Sequence, residues 1–154
     1  MSDPGLLDRG YAEVLQRCVA TGQAPHYTEL AASLGISLAD ARSLVHELVA
    51  LTPGWVHPGT DLLASFPPFN LQPTQYRVSI DGDQRWFAQC GFEALAIRWL
   101  FPGKQVRIEA PCLCCGEPLV VEMTDETITT IEPETMVGYT SAEVGGDAAS
   151  RPFR

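Results

Sequence analysis

The stretch YRVSIDGDQRWFAQCGFEALAIRWLF, Tyr76–Phe101, decides the fold. YRVSI and QRWFAQ read as two strands, and the Asp81-Gly82 pair between them supplies the positive backbone angles that a tight hairpin turn needs. GFEALAIRWLF follows as a helix, and a hairpin running straight into a helix predicts an α+β fold. If that helix opens at Gly91, Cys90 is its N-cap. There, unpaired amides and the positive end of the helix dipole favour a thiolate over a thiol. Glu93 stands three residues later, where a carboxylate commonly reaches back to the cap amide. It reads either as a capping group or as an acid or base held beside Cys90.

Downstream, KQVRIEA and PLVVEM read as strands flanking the turn PCLCCG, with TITTIEP as a third strand. Cys112 and Cys115, followed by Gly116, have the spacing of a knuckle in which two sulfurs converge on one metal. One such pair is half a zinc site. The chain holds no second CxxC or CxxH, so Cys114, Cys90 or a distant histidine would have to complete the set. Incomplete thiolate coordination also suits soft ions such as mercury or copper(I). The plainer alternative is a tight hairpin with cysteines packed inward.

Upstream, Leu7, Tyr11, Val14, Leu15, Cys18 and Val19 recur at three- and four-residue spacing, which predicts one helix with Cys18 on its core stripe. TELAASLGISLADARSLVHELVAL, Thr28–Leu51, then predicts a short helix, a turn at Gly35 and a second helix capped by Ser37. This is a helix-turn-helix pattern. Its outer face offers Asp40, Arg42, Ser43, His46 and Glu47, a mixed set for a DNA reader. PGWVHPGTDLLASFPPFNLQP, Pro53–Pro73, holds five prolines and little periodicity. It reads as an ordered connector with His57 at a turn, because Trp55, Leu62, Leu63, Phe66 and Phe69 are too apolar for a solvated linker.

The expected organisation is a helical module over 1–52, a connector over 53–75, an α+β thiol domain over 76–139 and a disordered tail over 140–154. In this arrangement a helix-turn-helix-like, winged-helix-like module packs on a small, mostly antiparallel sheet with one helix. A chain of 154 residues that is 45% hydrophobic can bury one proper core or two small ones. The formal charge of −9 repels phosphate backbones and disfavours nucleic acid as a partner. No long apolar run predicts a membrane span, and the N-terminus has no secretion signal, so a cytoplasmic protein is expected. In that reducing compartment five cysteines read as thiols or ligands rather than as a disulfide framework.

Taken in order, TELAASLGIS, then PTQYRVSIDGDQRWFAQCGFEAL, then VRIEAPCLCCGEPLVVEM and ETITTIEP resemble the alkylmercury lyase (organomercurial lyase) family, over about residues 25 to 140. The resemblance implies that Cys90 captures an organomercurial and that Glu93 delivers the proton to carbon. The family's typical residue at the latter position is aspartate. Glutamate moves the carboxyl by about one methylene, and catalysis responds to displacements of about 1 Å. The family's second catalytic cysteine comes from a later segment, past the point where this chain fades into EVGGDAASRPFR. The resemblance therefore implies either that one of Cys112, Cys114 and Cys115 stands in for it or that carbon–mercury cleavage is lost. It implies no organic cofactor, and a downstream thiol that accepts the released mercury.

Three functions are consistent with these residues. The first is a short lyase-like enzyme that cleaves the carbon–mercury bond by protonolysis, using Cys90, Glu93 and one of the knuckle cysteines. The second is a non-catalytic protein whose Cys90, Cys112, Cys114 and Cys115 hold mercury, copper or zinc. The third is a metal-responsive helix-turn-helix regulator.

Overall fold

The computed structural model describes residues 3–138. The tail expected over 140–154 lies outside the described residues. Four α-helices and eight short strands are present among them, and every strand pairing is antiparallel. The α+β expectation holds. The chain divides into two compact units, the first ending at Pro67 and the second beginning at Pro68. None of the described helices is long and apolar enough to cross a membrane.

In the first unit, helix α1 spans Pro4–Thr21 and starts on a proline, whose missing N–H costs nothing in a first turn. It stops at Gly22, where φ is 74° and the glycine amide donates to the Cys18 carbonyl at 2.8 Å. Gly10, Val14 and Cys18, one turn apart, form its buried stripe. Helix α2, Tyr27–Leu34, opens on a capping box: His26 Nδ1 accepts the Thr28 amide at 3.2 Å, and Glu29 Oε2 accepts the His26 amide at 2.8 Å. Helix α3, Leu38–Leu51, is capped by Ser37, whose Oγ accepts the Asp40 amide at 3.1 Å. It buries Ala41, Leu44, Val45 and Leu48.

The segment expected as a connector is built differently. It carries strand β1 (Trp55–Val56), strand β2 (Leu63–Phe66) and strand β3 (Phe69–Asn70). β1 and β2 pair through Trp55 opposite Ser65, across a turn in which the His57 amide donates to the Leu62 carbonyl at 2.8 Å. β2 is buried along its whole length, and the Phe66 ring sits 5.2 Å from that of Tyr11 on α1. Of the apolar side chains that looked excessive for a linker, Leu63 and Phe66 are buried on β2 and Phe69 on β3, whereas Leu62 stays exposed.

The second unit is a sheet in the order β3-β5-β4-β6-β7-β8. β4 is Tyr76–Ile80, β5 Asp83–Ala88, β6 Gln105–Pro111, β7 Pro118–Thr124 and β8 Thr127–Glu132. The β4–β5 turn places Asp81 at φ 49° and Gly82 at φ 86°, as the Asp-Gly pair predicts. Side chains alternate across the sheet. Tyr76, Val78, Ile80, Trp86, Ala88, Val106, Ile108 and Met123 are buried. On the other face Arg107 pairs with Glu122 at 2.6 Å and with Glu109 at 3.4 Å. Helix α4, Gly91–Ala96, and the 3-10 turn Ile97–Leu100 follow β5, burying Ala94 and Ile97. The single helix expected over GFEALAIRWLF thus has only six α-helical residues before it tightens.

Candidate functional site

Cys90 is the residue through which β5 turns into α4. Its backbone is extended, with φ −147° and ψ 171°, as an N-cap requires. The side chain is half-buried. One turn on, Glu93 points back toward the helix start: its Oε2 accepts the Gln89 amide at 3.2 Å, and its carboxyl accepts from both the amide and the thiol of Cys90. The two readings of Glu93 coincide, since one carboxyl both closes the helix start and touches the sulfur.

The electrostatics of the pair differ from the sequence expectation. Burial pushes the Glu93 carboxyl up to about 7, outweighing the three hydrogen bonds that favour its charged form. At neutral pH it holds its proton roughly half the time. Burial also pushes the Cys90 thiol up, while nearby amides of Glu93 and Phe92 pull it down and the Glu93 charge raises it further. Burial of the sulfur and the acid beside it therefore work against the thiolate that the helix dipole alone predicts. The physical reason is that α4 offers six residues of dipole and no side-chain cap hydrogen bond, against a half-buried sulfur facing an acid.

Tyr76 belongs to this neighbourhood and was not singled out in the sequence. A Cβ placed on Gly91 would lie 3.8 Å from the Tyr76 ring, and the phenol is held above its usual range by burial and by the charge of Cys90. Alternation along YRVSI, which turns Tyr76 toward the same face as Val78 and Ile80, is the signal that could have found it.

The second cysteine-bearing segment is the β6–β7 turn. Pro111 pairs with Pro118, the Cys112 amide donates to the Glu117 carbonyl at 2.7 Å, and the Gly116 amide donates to the Cys112 carbonyl at 2.8 Å. Gly116 has φ 76°, a left-handed conformation that suits glycine. The Cys112 sulfur accepts hydrogen bonds from the amides of Cys115 and Cys114 and from the Cys115 thiol, which together lower its pKa. Cys112 is half-buried, whereas Cys114 and Cys115 are exposed. Cys18 is fully buried on α1, and burial pushes its thiol up to about 12.

Both cysteine segments leave the sheet at one end. Ala88, two residues before Cys90, pairs with Tyr76 at the start of β4, and on the other side of β4 Arg77 pairs with Glu109, three residues before Cys112. Thr74, just ahead of β4, donates its hydroxyl to the Ala88 carbonyl at 2.6 Å. An open groove of about 370 Å3 runs beside the knuckle, lined in part by Thr74, Gln75, Arg77, Glu109 and Gly116. Cys90, Cys112, Cys114 and Cys115 do not meet at one point: among the described residues no group of three or more His, Cys, Asp and Glu side chains is placed to hold a metal ion.

The family model described as MerB, alkylmercury lyase, matches residues 69–151. Alkylmercury lyases of Bacillus cereus and Clostridium butyricum are each 36% identical over 67 residues, which is 44% of this chain and 30% of theirs. The matched stretch thus spans under a third of these curated relatives. Among solved structures, the mercury-bound form of MerB2 aligns with a TM-score of 0.64 at 19% identity, covering 84% of this chain and 64% of that one. At that identity the likeness is one of fold.

Proposed function

Because the chain belongs to the alkylmercury lyase family, we propose that it captures an organomercurial on Cys90 and cleaves the carbon–mercury bond by protonolysis through Glu93. The observation that carries this reading is the contact between the Cys90 thiol and the Glu93 carboxyl, which burial pushes up to about 7. In the first step the sulfur bonds to mercury, mercury loses its exchangeable ligand, and the thiol proton passes to the Glu93 carboxylate. In the second step the Glu93 acid protonates the carbon, the carbon–mercury bond breaks, and the hydrocarbon leaves. Glu93 returns to its carboxylate, and Hg2+ remains on the Cys90 sulfur. No oxidant, reductant or organic cofactor enters the balance. The pair is suited to this because the acid is loaded by the same capture event that needs it next.

The test is to incubate the reduced protein with a simple organomercurial and follow hydrocarbon release. Wild type should release hydrocarbon, and Cys90→Ser should abolish both capture at this site and release. Mercury uptake with no hydrocarbon from the wild type would leave a binding protein and remove the lyase reading.

The first unit is read here as a winged-helix-like module, with α2 and α3 as the helix-turn-helix and β1–β2 as the wing. Its cationic groups do not favour a DNA-reading role. Arg42 and His46 on α3 both engage Asp61, at 3.4 Å and 2.8 Å, and Arg42 also stacks over Tyr27. Side chains already paired in this way offer less to phosphates, and the net charge of −9 acts in the same direction.

A further inference from the structure

We propose that Cys112 and Cys115 form a second, self-contained two-thiol site that takes the bare dication Hg2+ in preference to an organomercury cation. The inference rests on the lyase reading for its physiological cargo, the product of Cys90 chemistry, but not for its binding chemistry.

The turn is shaped by Cys112 N–H to Glu117, Gly116 N–H to Cys112 and the left-handed Gly116, and it aims the amides of Cys114 and Cys115 at the Cys112 sulfur. The Cys115 thiol already donates to the Cys112 sulfur, so the two donors stand within hydrogen-bond reach before an ion arrives. A soft dication satisfied by two thiolates needs nothing more, whereas a tetrahedral ion would need further ligands, and among the described residues no third one is in place. Exposure of Cys115 leaves the site open to incoming and outgoing thiols.

Selectivity follows from valence. An organomercury cation already spends one bond on carbon and takes one thiolate, so the second sulfur adds little. Hg2+ takes both, and the second bond forms intramolecularly at high effective concentration. The site thus discriminates product from substrate without touching the organic group.

Transfer from Cys90 balances without redox change. Cys112 and Cys115 sulfurs each bond to mercury, the mercury–Cys90 bond breaks, one of the two displaced protons returns to Cys90, and the other goes to water. Departure of both segments from the same end of the sheet suits such a hand-over.

The experiment uses the reduced full chain carrying Cys90→Ser, loaded with mercuric chloride or with phenylmercuric acetate, then challenged with excess glutathione and weighed by native mass spectrometry. The expected result is one mercury per chain retained from mercuric chloride and no phenylmercury retained. Adding Cys115→Ser should cut mercury occupancy about tenfold or more, whereas adding Cys114→Ser should leave it unchanged. Loss of Hg2+ from Cys90→Ser to glutathione, equal retention of phenylmercury, or emptying by Cys114→Ser would each overturn the proposal. Since Cys90→Ser cannot begin the proposed cleavage, a wild type that releases no hydrocarbon would leave this result standing. A chain that releases hydrocarbon but fails the glutathione challenge would lose only the second site.

Discussion

Glu93 accepts hydrogen bonds from both the amide and the thiol of Cys90, so a single carboxyl closes the start of α4 and touches the sulfur beside it. The chemical and structural roles of this residue are inseparable in geometry but separable by pH and by substitution.

Release of hydrocarbon should follow the protonated fraction of Glu93. For a preformed Cys90–organomercury complex, the single-turnover rate should be flat well below pH 7 and fall about tenfold per pH unit above it, given a carboxyl pKa of about 7. Glu93→Gln should retain the organomercurial and release nothing. A rate that stays level from pH 7 to 9, or hydrocarbon from Glu93→Gln, would remove Glu93 as the proton donor.

Stability should move in the opposite sense to the usual carboxylate. The folded pKa of Glu93, about 7, lies above the ordinary value of 4.5. The folded state therefore binds the proton more tightly than the unfolded chain, and stability is fully present below pH 4.5 and lost as pH rises through 7. Neutral Glu93→Gln should melt higher than wild type at pH 8, by roughly 2 kcal/mol after allowance for solvent at a half-buried group. The difference should close toward pH 5. Thermal melts at the two pH values check this, and an advantage that persists unchanged at pH 5 would place its origin elsewhere.

Thiol reactivity should sort by environment. In the native protein an aromatic disulfide reagent should reach Cys112, Cys114, Cys115 and, more slowly, Cys90, while Cys18 reacts only after denaturation. Labelling followed by peptide mapping reads this directly. Early modification of Cys18 would contradict its place in the α1 core.

Packing of α1 on α3 is tight at one glycine. A Cβ on Gly10 would stand 2.8 Å from Leu44 Cδ2, and Leu44 is fully buried. Gly10→Ala gains about 1 kcal/mol of helix propensity but overpacks a core at a cost of about 1–3 kcal/mol. A net loss of about 1 kcal/mol and a melting temperature lower by a few degrees are expected. A rise in melting temperature would mean that Leu44 yields without cost.

Much of this architecture is legible in local chemistry. Asp81-Gly82 announces its turn because few other pairs adopt two positive φ angles, and Ser37 and Gly35 mark helix boundaries for similarly local reasons. Cys90 and Glu93 are legible as a pair because three-residue spacing at a helix start is itself a contact. What local chemistry does not carry is burial. The proline-rich stretch looks like a connector because strands of two to four residues are too short to show a period, yet Leu63–Phe66 is buried throughout. The upward push on the Cys90 thiol is hidden for the same reason: a dipole can be inferred from sequence, whereas the depth of the sulfur and the desolvation of its acid belong to the tertiary fold. Gathering the four cysteines into one set likewise depends on where the strands lead.

Cys90 and the cysteine turn hang from opposite flanks of β4, one by way of β5 and the other by way of β6. Residues can be inserted into or removed from the turn between Pro111 and Pro118 without shifting any paired rung beside Cys90, because the turn lies beyond that last β6–β7 pair. Related chains can therefore gain, lose or respace these outer sulfurs while the acid–thiol couple persists, and the two features are free to evolve at different rates.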